Sequence, residues 1–332
     1  MSSGGPSSPR ATGDAQTAME RLKIAVLAAR SDGWHARDLR RAAPALGLEL
    51  FFPDFRGLSA ALAGERPAGA GPGGISSGGT DLADFRAVLV RSVPAGTLEQ
   101  VVFRMDVLHL LEASGVAVVN RPAAIECAID KYLALARLAA AGIAVPATRV
   151  TENADGALAD FDALGGRTVV KPLFGSGGRG MFLLDERELA ARAFRTLERI
   201  GAVIYQQEFV PLHQGDLRVL VLAGEAVLAM RRTARGPAAV SPGAAAPEWR
   251  TNIARGGSAR PHDLSPAEAL LAVRAAGALG GEVTGVDLLP APDGRLYVSE
   301  VNSAPGWRAL AGATRSDVAA LVLGHLRRRA RG

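Results

Sequence analysis

The chain has 332 residues, 48% of them hydrophobic, a formal net charge of +5 and one cysteine, Cys127. That length holds two or three domains with sizeable cores, and no charge-free apolar run is long enough to cross a membrane. One cysteine excludes an internal disulfide and a cysteine-built metal cluster; aromatics at 5%, none interleaved with a basic stripe, exclude a stacking platform for single-stranded nucleic acid.

Residues 1–21, opening MSSGGPSSPR, are rich in Ser, Gly, Pro and Ala and have no apolar core. They read as a disordered leader rather than a secretory signal, and point to the cytoplasm. LKIAVLAA, from Leu22, is a short buried-strand pattern, a helix follows over 35–46, and LELFFPD is the next strand. AGERPAGAGPGGISSGGTD reads as a loop without regular structure. FRAVLVRSV is a third strand, 97–113 a helix, and VAVVN a closing strand. This alternation over 22–120 predicts a parallel α/β domain. A helix over 129–141 ends at Gly142, a suitable C-terminal cap. GIAVPATRV is extended, RTVVKP is a strand, 186–200 a helix and AVIYQQEFV a strand. The pattern then becomes antiparallel. One hairpin turns at Ala223-Gly224, SPAEALLAVRAAGALG is a helix, and a second hairpin has Asp293-Gly294 at its tip, a type I′ signal.

In VVKPLFGSGGRGMFLLD, Gly175, Gly177 and Gly180 match G-x-G-x-x-G. A dinucleotide-binding turn needs a helix directly after the glycines; here the strand-like MFLLD follows. A Walker A loop needs a closing Gly-Lys-Ser/Thr, which is absent. A strand–loop–strand flap is the arrangement that covers phosphates in protein kinases. Its glycines let backbone N–H groups approach phosphate oxygens, and Lys171 leads into it. The bland alternative is a mobile hairpin with a solvated lysine.

The second hairpin favours the flap. A two-residue turn at Asp293-Gly294 places Asp287 opposite Glu300, with Cβ atoms about 4.5–5.5 Å apart. Asn302 projects on the same face as Glu300. Two opposed carboxylates repel unless a cation lies between them, and oxygen donors of this kind suit magnesium, which also recruits phosphates. The alternative is an exposed acidic ribbon, or a turn of another length that breaks the register.

The order of motifs resembles the ATP-grasp superfamily, in detail its RimK-like amino-acid ligases. The matching segments are NRPAAIECAIDKYLALARLAAAGIAVPAT, VVKPLFGSGGRGMFLLD, YQQEFV, GDLRVLVLAGEAVLAMRR, WRTNIARGG, GVDLL and SEVNSAPGW, in order over about 120–307. The resemblance implies a mixed α/β and α+β architecture, an ATP-grasp fold. A parallel α/β pre-grasp domain (22–120) would precede two α+β subdomains enclosing the nucleotide, a central one with the flap (121–205) and a C-terminal one with the metal site (206–330). It implies ATP-dependent carboxylate–amine ligation through an acyl phosphate, giving amide, ADP and phosphate, with L-glutamate the expected amino acid. The acceptor would be a protein C-terminus or a cofactor such as tetrahydromethanopterin. A net positive charge suits such polycarboxylate substrates.

Carried over by resemblance, Lys131, Lys171, Gly175, Ser176, Gly177 and Gly178 face the nucleotide phosphates, and Gln207, Glu208, Phe209 and Val210 meet the adenine edge. Asp287, Glu300 and Asn302 match the magnesium ligands, with manganese as an alternative ion. Arg218 fits a phosphoryl or substrate-carboxylate contact, and Arg250 and Asn252 fit the acyl-phosphate side. Arg231, Arg232 and Arg255 are weaker candidates, each with a surface ion pair as its bland reading. The ribose contact stays open between His213 and Gln214, the stretch 236–247 reads as an insertion, and Arg179 has no assigned role. A homo-oligomer is compatible with the resemblance; nucleic acid and membrane are not expected as partners. A non-catalytic nucleotide-binding module of the same fold is the rival reading. Residues 74–78 spell G-x-S-x-G, but without the strand–turn–helix context of a nucleophile elbow, and no two histidines stand at zinc-site spacing.

Overall fold

A computed structural model describes residues 21–62, 74–175, 177–212, 214–234, 251 and 256–332. The first part of the chain forms β1 (Leu22–Leu27), α1 (Trp34–Ala42), β2 (Leu48–Phe51), β3 (Leu58–Ala60), β4 (Ile75–Ser77), β5 (Thr80–Asp81), β6 (Ala87–Val90), α2 (Leu98–Ala113) and β7 (Ala117–Val119). β2, β1, β6 and β7 lie side by side in that order, all parallel. The AVLV run of β6 is buried at every position, as a parallel strand covered on both faces requires. Ala25, Leu27, Val88 and Val90 pack on one face with Met105, Leu108 and Leu111 of α2. Thr97 and Gln100 start that helix with a reciprocal capping box.

Residues 75–81 correct an expectation. They are not an irregular loop: β3, β4 and β5 form a small antiparallel sheet, and buried Ile75 joins the core beneath α2. Ser76 is paired within β4 and no helix follows it, so the nucleophile-elbow geometry is absent.

The middle of the chain supplies α3 (Pro122–Ile129), α4 (Lys131–Ala140), β8 (Thr148–Thr151), α5 (Ala154–Ala163), β9 (Thr168–Lys171), β10 (Phe182–Leu184), α6 (Arg187–Arg199) and β11 (Ile204–Glu208). The sequence led us to expect one helix over 129–141. Two are present, because Asp130 is extended and its carboxylate accepts from the N–H groups of Tyr132 and Leu133, starting α4 afresh. Gly142, at φ 67°, closes α4 in the left-handed region. The order β10-β9-β11-β8 is antiparallel throughout, so the glycine loop joins two adjacent strands, and α5 and α6 cover one face through Phe161 and Phe194. β11 runs across the expected boundary between residues 205 and 206.

The remaining elements are β12 (Asp216–Leu222), β13 (Glu225–Thr233), β14 (Ser258–Pro261), α7 (Pro266–Ala278), β15 (Val283–Pro290), β16 (Leu296–Asn302), α8 (Arg308–Thr314) and α9 (Val318–Arg329). The sheet order is β14-β13-β12-β15-β16, all antiparallel. Small residues Ala272, Ala275 and Ala276 let α7 sit close on its Val- and Leu-rich face. Ala223 and Gly224 both have positive φ, as a type I′ turn demands. The other tip is different from the type I′ turn expected. Only Gly294 has positive φ; its N–H donates to Ala291 O, and Ala291 N–H donates to Arg295 O, a three-residue connection. Pro290 therefore faces Leu296, and a bulge at Ser299 restores the pairing of Asp287 with Glu300.

Two features bind the first sheet to the last. α9 returns to the start of the chain: Val318, Ala319, Val322, Leu323 and Leu326 share one core with Ile24, Val26, Leu39 and Leu89. Asn120, just past β7, uses its whole amide. Its Oδ1 accepts from the N–H groups of Glu282 (2.7 Å) and Val283 (2.8 Å), and its Nδ2 donates to Val283 O (2.8 Å) and Ser303 O (2.5 Å). Removing it strands four backbone groups. Asn120→Ala should lower stability to urea by about 3 kcal/mol, at the upper end for unsatisfied buried polar groups; a change below about 1 kcal/mol would show that water replaces the amide.

Candidate active site

β15 and β16 set Asp287 directly opposite Glu300, and Gly285 opposite Asn302. On its other side Asp287 faces Arg218 of β12, and Arg232 of β13 faces Asp216 of β12. Arg218 grips the Asp287 carboxylate with Nε and, at 2.7 Å, with Nη2. Arg232 donates to both oxygens of Asp216 (2.9 and 2.5 Å) and lies 2.9 Å from Asp287. Asp216, Arg232 and Asp287 are each 5% exposed, a burial charged groups tolerate only when paired. Burial opposes ionisation of Asp287, yet Arg218 and Arg232 outweigh it and hold its pKa below the usual carboxylate value. Burial likewise opposes the Arg232 charge, and Asp287 and Asp216 reverse the balance.

Glu300 is the exception in this network. It is half-buried and accepts no hydrogen bond from the described residues. Burial, and then the Asp287 charge, raise its pKa; Arg218, Lys131 and Lys171 pull against that shift. Asn302 donates weakly to Gly285 O at 3.5 Å, which leaves its Oδ1 open. A Cβ at Gly285 would lie 2.9 Å from Pro305 Cβ and 3.2 Å from Arg218 Cδ, so only glycine leaves Arg218 on Asp287. The donor set tests well for a hard cation. Among the described residues nothing donates to Glu300 or to Asn302 Oδ1, and Asp287 keeps one acceptor position beyond the three taken by arginine.

Two lysines approach from the neighbouring sheet. Lys171, the last residue of β9, donates to Gln207 Oε1 at 2.6 Å, and Gln207 Nε2 donates to Thr148 Oγ1 at 2.9 Å. Burial lowers the Lys171 pKa to about 8; Glu300 and Asp287 resist and Lys131 assists. Lys131, first in α4, donates to Gly175 O at 2.7 Å and so ties that helix to the flap. Burial lowers its pKa too, against Glu300 and Asp130. Gly175, Gly177, Gly178 and Gly180 all have positive φ, which a chain of side-chain-bearing residues would resist. Glu208 accepts from Ala147 N–H at 3.0 Å, and Phe209 lies under the Arg167 guanidinium. Val210 follows β11, half-buried.

Thus Lys131, Lys171, Asp287, Glu300 and Arg218 are electrostatically coupled, and Asn302 and Gln207 adjoin them. Arg218 is already held by Asp287, where a free anion receptor was expected. Arg231 points away from Arg232 along β13, and Gln214 and Arg179 are exposed. Ser176, His213, Arg250, Asn252, Arg255 and the stretch 236–247 lie outside the described residues. Asp216 and Thr148 escaped sequence reasoning; no motif marks them, and only the strand registers reveal their partners.

The fold defined by this geometry is that of ATP-grasp ligases. An ATP-grasp ligase, PsnB, complexed with minimal precursor superposes with a TM-score of 0.71 at 23% identity, over 92% of this chain and 98% of its own. A RimK domain ATP-grasp protein from Sphaerobacter thermophilus superposes at 0.68 and 24% identity, over 92% and 99%. The RimK-like ATP-grasp domain model matches residues 128–326. The tetrahydromethanopterin:alpha-L-glutamate ligase of Methanosarcina acetivorans is 33% identical over 278 residues, 80% of this chain and 82% of that one. A probable alpha-L-glutamate ligase of Thioalkalivibrio sulfidiphilus is 33% identical over 316 residues, 93% and 97%. The chain belongs to the RimK-like ATP-grasp family of carboxylate–amine ligases.

Two outcomes follow from the charges. Arg232→Leu leaves two buried aspartates with an unmatched charge and should cost about 3–5 kcal/mol in denaturant unfolding; Arg232→Lys should not restore it, since an ammonium lacks the fork that spans both carboxylates. The folded chain binds fewer protons at Lys171 than the unfolded chain between about pH 8 and its ordinary 10.5. Stability should therefore rise with pH through that window relative to Lys171→Met; parallel pH profiles for the two proteins would refute the depressed lysine.

Proposed function

We propose that the protein joins L-glutamate to a carboxylate acceptor at the expense of ATP, and that Glu300 is the pivot of the site. The observation that carries this reading is the Glu300 carboxylate, opposed to Asp287 across two strands and without a hydrogen-bond partner among the described residues. Such a pair calls for a cation, and the two depressed lysines beside it call for an anion. A magnesium–nucleotide complex supplies both. The names of the relatives support glutamate as the amino acid.

In this reading Asp287, Glu300 and Asn302 hold magnesium, or manganese in its place, which when bound neutralises phosphate charge. Arg218 and Arg232 act on Asp287, keeping it ionised and aimed. Lys131 and Lys171 receive phosphate oxygens, and the flap glycines 175, 177 and 178 with Ser176 cover them through backbone N–H groups. Gln207, Glu208, Phe209 and Val210 border the adenine.

An acceptor carboxylate oxygen attacks the terminal phosphorus of ATP; a P–O bond forms, the bond to ADP breaks, and an acyl phosphate results. The glutamate nitrogen then attacks the acyl carbon, a C–N bond forms, phosphate leaves, and the amine proton passes to solvent. Arg250 and Asn252 are assigned to the acyl-phosphate side. Enclosure excludes water from that labile species. The division into units at 22–120, 121–205 and 206–330 is part of this reading. So are a cytoplasmic location, a homo-oligomeric state and an acceptor that is a protein C-terminus or a tetrahydromethanopterin-type cofactor.

The test is ADP release with each amino acid and candidate acceptor, followed by product mass. Glutamate should give the release and a glutamate-sized increment. Glu300→Ala should reduce turnover on the order of 10³-fold while ADP still binds. A wild type that binds ADP and magnesium yet releases none with any pair would instead be a nucleotide-binding module.

A further inference from the structure

In the first sheet, β2 and β7 lie on opposite sides of the adjacent pair β1 and β6. The order of strands therefore reverses between β1 and β6, and ligands of open α/β sheets bind outside the carboxyl ends of the strands at such a reversal. Arg91 stands at that point, immediately after β6. Its N–H donates to Leu27 O at 2.7 Å, and Ser92 Oγ accepts from Ala29 N–H at 2.9 Å, so both loops are fixed.

The Arg91 side chain is anomalous. Its Nε is buried and has no hydrogen-bond partner, and the guanidinium forms no ion pair among the described residues. Its one described contact is the face of Trp307, 4.5 Å from the ring centroid. The buried arginines Arg232 and Arg104 are satisfied, Arg232 by two aspartates and Arg104 by Pro94 O at 2.8 Å. Burial alone lowers the Arg91 pKa, to about 10.

The surroundings add positive potential and donors, with no spare anion. His35 Nε2 accepts from Trp307 N–H at 3.1 Å. The proton of the neutral ring is then on Nδ1, which has no described partner. Burial and then Arg91 keep His35 neutral, with a pKa of about 4. α1 begins at Trp34 with no side-chain cap and no acidic residue in its first turn, so its dipole favours an anion there. Asp38, the carboxylate that acts on His35, is taken by Trp307 Nε1 at 2.9 Å and by Arg41. Residues 303–306 alone separate Trp307 from Asn302, the end of β16 and one of the residues assigned above to the cation.

We propose that Arg91, backed by Trp307 and His35, is a carboxylate receptor that holds a non-reacting carboxylate of a substrate of this ligase. The inference rests on the ligase reading. A planar fork stacked on an indole presents its edge N–H groups to a carboxylate, which binds in bidentate fashion. In a glutamate ligase both the amino acid and a glutamate-bearing acceptor carry such a group.

The test uses the full chain loaded with ADP and magnesium. L-glutamate and L-glutamyl-L-glutamate are titrated calorimetrically into wild type, Arg91→Met and Arg91→Lys. Arg91→Met should weaken at least one probe tenfold or more, Arg91→Lys should recover part of the loss, and ADP affinity should not change. The probe that weakens identifies the amino acid or the acceptor as the source of the carboxylate. Because no described residue compensates the charge, Arg91→Met should also unfold roughly 2–4 °C higher. Unchanged affinity for both probes, or a wild type that binds ADP and magnesium but neither probe, overturns the receptor. A fall in unfolding temperature with unchanged probe affinity marks a structural arginine and overturns it too. A wild type that binds no ADP removes the ligase reading, and the receptor with it.

Discussion

Two carboxylates, Asp287 and Glu300, are forced face to face on adjacent strands inside the protein. Left alone, that pair would be costly, because burial and mutual repulsion act in the same direction on Glu300. Much of the surrounding architecture is arranged as its compensation. β12 and β13 each deliver one arginine to Asp287, and Asp216 neutralises the excess charge this creates. β9 and α4 bring two lysines from another sheet, and burial keeps those ammonium groups under-stabilised. The result is polarised. Asp287 is gripped by two arginines and fixed, while Glu300 accepts no hydrogen bond from the described residues and burial opposes the charge of both lysines.

The arginines of this part of the molecule differ in their partners. Arg218 pairs with Asp287, and Arg232 with Asp216 and Asp287. Gln207 has a comparable supporting place, linking Lys171 to Thr148 across three strands. Arg91 is the reverse case. It lies on a different sheet, touches an aromatic ring and lacks any counter-ion among the described residues.

Much of this was legible in the sequence. Alternating apolar runs and helical stretches marked the parallel sheet, and MFLLD after the glycines distinguished a flap from a dinucleotide turn. The Asp287–Glu300 pairing was reached through a two-residue tip that does not exist; the longer tip and the Ser299 bulge offset each other. In the other hairpin nothing offsets the irregularity. A bulge near Leu220 shifts the register, so Asp216 faces Arg232 rather than the Arg231 that regular pairing from the turn would supply. Bulges leave no reliable trace in residue type, and this one decides which arginine is buried. α5 and the break at Asp130 were missed for a different reason. Both depend on capping by a single short side chain, Asn153 or Asp130, which composition does not distinguish from an ordinary surface residue.

The placement of α9 has a consequence for biosynthesis. β1 and β6 leave the ribosome well before α9 and are apolar on both faces, but one of those faces is covered by residues 318–326. Until that helix is made, Ile24, Val26, Leu39 and Leu89 have no complete core to enter. This sheet is thus completed only after α9 is made, and its assembly waits on a contact of very high sequence separation. The apolar face of β1 and β6 that meets α9 therefore has no complete core before the end of the chain is made.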